Sequence, residues 1–326
     1  MDRNARIYVA GHLGMVGSAI TRRLADAGYA NVVTRTHAQL DLLDQRTVRC
    51  FLDEVRPDYV FVAAARVGGI HANNTMRADF IYQNLVIETN VIEAAFRAGV
   101  RRLMFLGSSC IYPRDCPQPI REEYLLTGPL EPTNEPYAVA KIAGIKLCEA
   151  FNAQHGTRYV SVMPTNLYGP GDNYDLATSH VLPALIRKAH EARERADDKL
   201  AVWGSGRPRR EFLYVDDLAD ACVFLMEHDY SGNLLNIGTG KDVTICELAT
   251  TVMRCVGLEA ELMFDPDKPD GTPRKLLDVS GIRNLGWEAR TSLEEGIRKT
   301  YDDFLRSRFC HHGHPDVRET RTSAGK

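Results

Sequence analysis

Gly11, Gly14 and Gly17 follow directly on the apolar run Ile7–Ala10, and a helical pattern, Met15–Ala27, begins among them. This G-x-x-G-x-x-G arrangement restricts what the chain can fold into more than any other feature. A buried strand that turns at once into a helix needs glycine for the tight turn, for close helix–strand packing, and wherever a pyrophosphate must approach the backbone. The helix N-terminus then presents free N–H groups and a positive dipole end to phosphate oxygens. Gly11, Gly14, Met15, Val16 and Gly17 are therefore expected to hold a dinucleotide. The second short strand, Val32–Thr34, leads into Arg35, Thr36 and His37. An acid usually stands there when a ribose 2′-hydroxyl is bound, and none is present. A guanidinium suits a 2′-phosphate, so Arg35 points to NADP(H).

The first half continues the alternation. Arg46–Val55 reads as a helix entered through Asp44 and stopped by Pro57, and Tyr59–Ala64 as a buried strand. Ile81–Ala98 reads as a long amphipathic helix stopped by Gly99, Leu103–Gly107 as a strand, Tyr137–Gln154 as a helix and Tyr159–Met163 as a strand. Such alternation predicts an α/β fold on a doubly wound parallel sheet. Pro, Gly, Asn and Asp then cluster at 164–175, 204–208 and 265–273. Between these, helices are expected near Val181–Ala196, Asp217–Glu227, Ile245–Val256 and Leu293–Phe304. Thr244 and Glu247 form a capping box for the third of them. The expected division is a dinucleotide-binding domain from 1–169 plus 208–240 and a smaller domain from 170–207 plus 241–310. The polar stretch 311–326 is expected to be disordered.

A formal net charge of −3 gives no global reason to bind nucleic acid or an anionic membrane. Asp2, Arg3 and Arg6 interrupt the start, which carries no signal-peptide core, and no apolar run approaches the ~18 residues of a membrane span. A cytoplasmic location is expected. Of eight cysteines, Cys50, Cys148, Cys222, Cys246 and Cys255 fall in helical patterns and read as small buried hydrophobes in a reducing compartment. Cys310, His311, His312 and His314 lie together without a scaffold, so no metal site is expected.

Tyr137 and Lys141 are four residues apart in a helical pattern and share one face. A free phenol titrates near ~10, and an adjacent ammonium is expected to lower that value, making an acid/base for carbonyl–alcohol interconversion. The strand Leu103–Gly107 ends in Ser108, at the side of the sheet where ligands bind, so its hydroxyl is placed to orient a substrate oxygen. Cys110 follows closely. Beside a cationic site its thiolate can serve as a base; otherwise it fills a loop. His180 opens a helix after an irregular loop, where an imidazole can act as acid or base or simply cap the helix.

Several longer strings carry a family likeness. Gly-Ser-Ser-Cys-Ile-Tyr-Pro (107–113), Glu-Pro-Thr-Asn-Glu-Pro-Tyr-Ala-Val-Ala-Lys-Ile-Ala-Gly (131–144), Met-Pro-Thr-Asn-Leu-Tyr-Gly-Pro (163–170) and Lys-Pro-Asp-Gly-Thr-Pro-Arg-Lys-Leu-Leu-Asp (268–278) resemble the GDP-L-fucose synthases. So do Ala-Ala-Ala-Arg-Val-Gly-Gly-Ile (63–70) and Arg-Glu-Phe-Leu-Tyr-Val-Asp-Asp (210–217). That family belongs to the extended short-chain dehydrogenase/reductases, and the likeness runs to about residue 306. It implies a Rossmann-type doubly wound sheet with a smaller α/β substrate-binding domain. It implies C3 and C5 epimerisation of GDP-4-keto-6-deoxy-D-mannose, then reduction of the C4 ketone with NADPH. Tyr137 would be the proton donor at the C4 oxygen, Lys141 its tuning partner and Ser108 the ketone's anchor. Cys110 would be the epimerisation base and His180 the acid. Cofactor contacts would also come from His37, Asp41, Leu106, Ser108, Lys141, Pro164, Asn166, Leu167 and His180, and substrate contacts from Lys188, Trp203, Arg210 and Asp270. Leu13 and His37 replace frequent arginines of the family, which leaves Arg35 for the 2′-phosphate, and Lys188 replaces another. The family is commonly homodimeric through a helix bundle. A GDP-L-colitose synthase and a non-catalytic NADP(H) sensor on the same fold are the alternatives.

Overall fold

The computed structural model describes residues 1–311 apart from Asp229 and Pro269, and leaves out the side chains of Ile70, His71 and residues 308–311. The polar stretch from 312, and the side chains of Cys310, His311, His312 and His314, lie outside what is described.

The chain begins β1 (Ile7–Ala10), α1 (Met15–Asp26), β2 (Val32–Val33), α2 (Gln45–Val55) and β3 (Tyr59–Val62). It continues through α3 (Ile70–Thr75), α4 (Arg77–Arg97), β4 (Arg102–Leu106), α5 (Glu135–His155) and β5 (Arg158–Pro164). Then come β6 (Asn166–Tyr168), α6 (Val181–Arg195), β7 (Lys199–Trp203), β8 (Arg209–Tyr214), α7 (Val215–Glu227) and β9 (Leu234–Ile237). The last elements are β10 (Asp242–Thr244), α8 (Ile245–Val256), β11 (Glu261–Asp265), β12 (Arg274–Lys275), α9 (Ser280–Asn284) and α10 (Leu293–His311).

The main sheet has the order β2-β1-β3-β4-β5-β9, and every pairing in it is parallel. It is the expected doubly wound α/β sheet. β1, β3 and β4 are buried at every residue, as strands covered by helices on both faces must be. From β1 the chain steps out to β2 and then returns to the other side as β3. That reversal opens a crevice at the carboxyl end of β1, where such sheets take their ligands.

A second core gathers Leu185 and Ile186 of α6, Leu200 and Val202 of β7, Leu248 and Val252 of α8, and Ile297 and Phe304 of α10. β8 joins the two cores by the two-residue period of a strand: Leu213 packs into the first, Phe212 and Tyr214 into the second. Leu277, Val279, Ile282 and Trp287 pack into the first core although they lie in the chain between α8 and α10, both of the second core.

Local signals explain the helix bounds. Asp44 caps α2 by accepting from Arg46 N at 2.9 Å and Thr47 N at 3.2 Å, and the helix ends at a left-handed Arg56 before Pro57. The Thr244–Glu247 capping box is formed at the start of α8. Helix α4 begins at Arg77, four residues before the expected start, because its first turn carries no apolar stripe. Cys50 is exposed, contrary to the buried reading, since it lies on the outer face of α2; Cys148 and Cys222 are buried, and Cys246 and Cys255 half-buried. Among the described residues no helix is long and apolar enough to cross a membrane.

Candidate active site

The glycine loop is held by close backbone packing. Gly11 has φ +85°, and a Cβ there would come 2.7 Å from the Ala64 backbone. A Cβ at Gly17 would come 2.1 Å from the Gly11 carbonyl oxygen. Gly14 is different. Its φ of −76° suits any residue, and a Cβ would meet only the Gly11 oxygen, at 3.5 Å. The fold thus leaves the space before Gly14 free, and α1 starts there with no capping side chain and no acid in its first turn, which Met15 and Val16 open. A diphosphate fits this cradle. Gly14→Ala is therefore expected to leave stability within ~1 kcal/mol of the parent while weakening NADPH binding about tenfold. Gly17→Ala should disrupt the loop itself. Thermal melts and fluorescence titration check both; parallel losses of stability would remove Gly14 from ligand contact.

At the far end of the crevice the Arg35 guanidinium lies 5.1 Å from the Phe51 ring centre and donates to the Thr34 carbonyl at 2.8 Å. His37 and Asp41 approach to 3.6 Å, both open to solvent, and Asp41 also accepts from Leu43 N at 2.9 Å. Leu106 and Pro164 end β4 and β5. Asn166 donates its side-chain amide to the Glu211 carbonyl at 2.7 Å, and Leu167 follows it in β6.

Ser108 stands just beyond β4. Its hydroxyl accepts from the Cys110 backbone N–H at 3.5 Å, and its influence lowers the pKa of both the Cys110 thiol and the Tyr137 phenol. One hydroxyl thus joins the two expected reacting groups. Lys141 lies one turn beyond Tyr137, its Nζ 5.9 Å from the Tyr137 ring centre and 4.6 Å from that of Phe105. The ammonium pairs with Glu88 of α4 at 2.9 Å, and both side chains are 1% exposed. Nothing in the spacing of α4 marks Glu88 as part of this group.

The expected lowering of the Tyr137 pKa is not found. Burial pushes the phenol well up, the negative charges of Cys110 and Glu88 add to this, and only Ser108 opposes. Lys141 is engaged instead by Glu88, whose carboxyl burial pushes up while the ammonium draws it back.

His180 precedes α6 and makes no side-chain cap, which removes the capping reading. Gly69 brings its segment in: the Gly69 N–H donates to the Thr178 carbonyl at 2.8 Å, and a Cβ on Gly69 would come 2.5 Å from the Ser179 carbonyl oxygen. The loop bearing Gly69 is itself tied to buried Asn84, which accepts from Arg66 N at 2.9 Å and donates to Arg66 O at 3.0 Å. His180 is exposed to solvent. Packing around it, then the charge of Lys275, holds its pKa down. Lys275 also faces Cys110. Burial pushes that thiol up, and Lys275 is the largest opposing influence. Lys275, which sequence reading passed over, is thus the neighbour shared by Cys110 and His180.

Further out, Trp203 is 55% exposed, so it is not a core residue. Lys188 Nζ lies 5.0 Å and Lys268 Nζ 5.5 Å from its ring centre. The Asp270 carboxylate accepts from Ser205 N at 2.6 Å and Ser205 Oγ at 2.7 Å, two residues beyond the tryptophan. Arg210 donates to the Asp270 carbonyl at 3.4 Å and pairs in register with Lys275 across β8 and β12. A continuous line of groups therefore runs from Trp203 through Asp270, Arg210 and Lys275 to Cys110.

Residues 7–238 match the model of the NAD dependent epimerase/dehydratase family. The chain belongs to this family. Within it, the chain is 57% identical over 307 residues to GDP-L-fucose synthase 1 of Arabidopsis thaliana, covering 94% of this chain and 95% of that protein. It is 55% identical to the GDP-L-fucose synthase of Escherichia coli (strain K12), covering 92% and 96%. The GDP-L-colitose synthase of Yersinia pseudotuberculosis is more distant, at 37%. Among solved structures, the GDP-mannoheptose C4 reductase MlghC of Campylobacter jejuni, with NADP bound, superposes with a TM-score of 0.86 at 39% identity, covering 94% of this chain and 99% of that one.

Proposed function

We propose that this chain converts GDP-4-keto-6-deoxy-D-mannose to GDP-L-fucose, by epimerisation at C3 and C5 followed by NADPH-dependent reduction at C4. The observation that carries this reading is the place of Ser108, whose hydroxyl acts on both the Cys110 thiol and the Tyr137 phenol. A plain ketone reductase has use for the serine and the tyrosine but none for a thiol there. Relatives at 55–58% identity named GDP-L-fucose synthase support the substrate.

The glycine loop would hold NADP(H), with Arg35 for its 2′-phosphate and Lys141 for its nicotinamide ribose, and the cofactor would supply the hydride for C4. Everything else falls to side chains. Ser108 and Tyr137 donate hydrogen bonds to the C4 oxygen, which stabilises the negative charge that develops there when a neighbouring C–H is ionised. Cys110 takes the proton from C3 and then C5, and His180 returns one on the opposite face. Once both centres are inverted, Tyr137 gives its proton to the C4 oxygen. The smaller unit, centred on the second core, closes over the GDP moiety, with Arg210 and Lys188 at the diphosphate and Trp203 and Asp270 at the nucleoside. Exposed Tyr82 on α4 and Val139 on α5 support a homodimer through these two helices.

Incubation with GDP-4-keto-6-deoxy-D-mannose in D₂O, with NADPH and NADH in parallel, tests the reading. The expected product has the mass of a GDP-deoxyhexose carrying solvent deuterium, and forms faster with NADPH. Reduction without deuterium would leave a simple 4-reductase. Turnover only of the corresponding 3,6-dideoxy keto-sugar would make the chain a colitose-type synthase.

A further inference from the structure

Beside Cys110 lies a cavity of about 40 Å³ that none of the groups assigned above fills. It is too small for a sugar ring and large enough for one or two groups the size of a water. Cys110, Lys275, Glu131 and Asn134 line it together. Much of its remaining polar wall is engaged elsewhere. Tyr112 donates to Asn236 Oδ1 at 2.6 Å, Gln118 accepts from Leu276 N at 2.9 Å, and Arg274 pairs with Asp242. Two acceptors are left over. Asn134 is the N-cap of α5, three residues before Tyr137, yet its side chain makes no capping bond, the usual reason for an asparagine there. Its Oδ1 is buried without a hydrogen-bond donor among the described residues. One oxygen of Glu131 accepts from Thr133 Oγ1 at 3.4 Å; the other, Oε2, is buried 3.4 Å from Arg114 Nε and accepts no hydrogen bond.

A buried acceptor without a donor is costly, and only an O–H or N–H group relieves it. The keto-sugar brings three kinds of group near Cys110. The C4 oxygen only accepts, and it belongs to Ser108 and Tyr137. The carbon attached at C5 is a methyl. C3 carries a hydroxyl, which donates. We propose that Asn134 and Glu131 form the subsite for the C3 hydroxyl and set the preference of the site for a 6-deoxy over a 3,6-dideoxy keto-sugar. The same contact fixes the rotation of the ring while the ketone stays on its two donors. This deepens the reading of the reaction given above and rests on it.

The test is kcat/KM for NADPH oxidation with GDP-4-keto-6-deoxy-D-mannose and with its 3,6-dideoxy counterpart, for the full-chain parent, Asn134→Ala, Asn134→Asp and Glu131→Ala. The parent should prefer the 3-hydroxy sugar by about 10²-fold, since a site built to bond a hydroxyl rejects the analogue that lacks it. Asn134→Ala removes no capping bond, so the protein should fold, and the preference should drop to about tenfold or less. Asn134→Asp keeps an acceptor and should keep most of the preference. Glu131→Ala also alters the surroundings of Arg210 and Lys275, so it should lower kcat/KM for both sugars, but more for the 3-hydroxy one. It carries the comparison if Asn134→Ala does not accumulate as folded protein. Equal losses on the two sugars, with the ratio at the parent value, would overturn the proposal and leave both residues as packing groups. A parent that uses the two sugars equally well would overturn it too. Turnover of neither sugar by the parent would instead defeat the reading of the reaction, and the subsite with it.

Discussion

Tyr137→Phe is expected to lower C4 reduction by about 10³-fold, roughly 4 kcal/mol of transition-state stabilisation, while deuterium exchange at C3 and C5 continues at a measurable rate. The substitution removes one oxygen from a site where burial, above all, keeps the phenol protonated. A proton donor is lost without any change in net charge. Exchange depends on Cys110 and His180, and Ser108 still offers a hydrogen bond to the C4 oxygen. It should therefore slow only by the worth of the second donor at the oxyanion, about 10²-fold or less. Rapid quenching in D₂O, with mass analysis of recovered keto-sugar beside nicotinamide absorbance, separates the two steps. Loss of exchange in proportion to reduction would make Tyr137 part of epimerisation. Retention of reduction would move the donor role elsewhere.

The elements that could be read from the chain were those whose causes are local. The strand before Gly11 is a buried run and the turn after it is dictated by glycine spacing, so β1 and the start of α1 are where they were expected. The bounds of α8 agree to the residue because Thr244 and Glu247 lie three apart in the chain and bond each other. Strands β10 and β12 are three and two residues long and are set by pairing with β8, which no local pattern announces. The same divide runs through the candidate site. Ser108, Tyr137 and Lys141 stand at strand end and helix face in recognisable order. Glu88 has meaning only against Lys141, 53 positions later by their numbering; Gly69 only against Ser179; Lys275 only against Cys110. The expected tuning of Tyr137 by Lys141 missed for this reason: the ammonium was counted, but the burial of the phenol and the Glu88 side chain that engages the ammonium come from other elements.

Cys110→Ser is expected to cut C3 and C5 exchange by about 10³-fold while reduction of a sugar supplied already epimerised stays within about threefold of the parent. A hydroxyl in the thiol's place ionises far less readily, yet it is close in size and leaves the backbone bond from Cys110 N to Ser108 unchanged. The same chemistry fixes the shape of the pH profile. Burial pushes the Cys110 thiol up and holds the His180 imidazole down, so at neutral pH both groups rest uncharged. The reactive arrangement, thiolate with imidazolium, holds the same number of protons. Its share depends only on the difference between the two pKa values and does not change with pH between them. Exchange by the parent should accordingly be flat across the neutral range, falling on the acid side as His180 and then on the alkaline side as Cys110 leaves its resting form. Lys275 draws both values down together, which moves this window toward acid with little effect on its height. Cys110→Ser should lower the plateau and carry the alkaline limb upward, since a serine hydroxyl ionises far less readily. If exchange instead rises tenfold per pH unit through neutrality in the parent, a single free base does the work and His180 is not its partner. If Cys110→Ser loses reduction of the epimerised sugar to the same extent as exchange, the thiol supports the site as a whole rather than acting as its base.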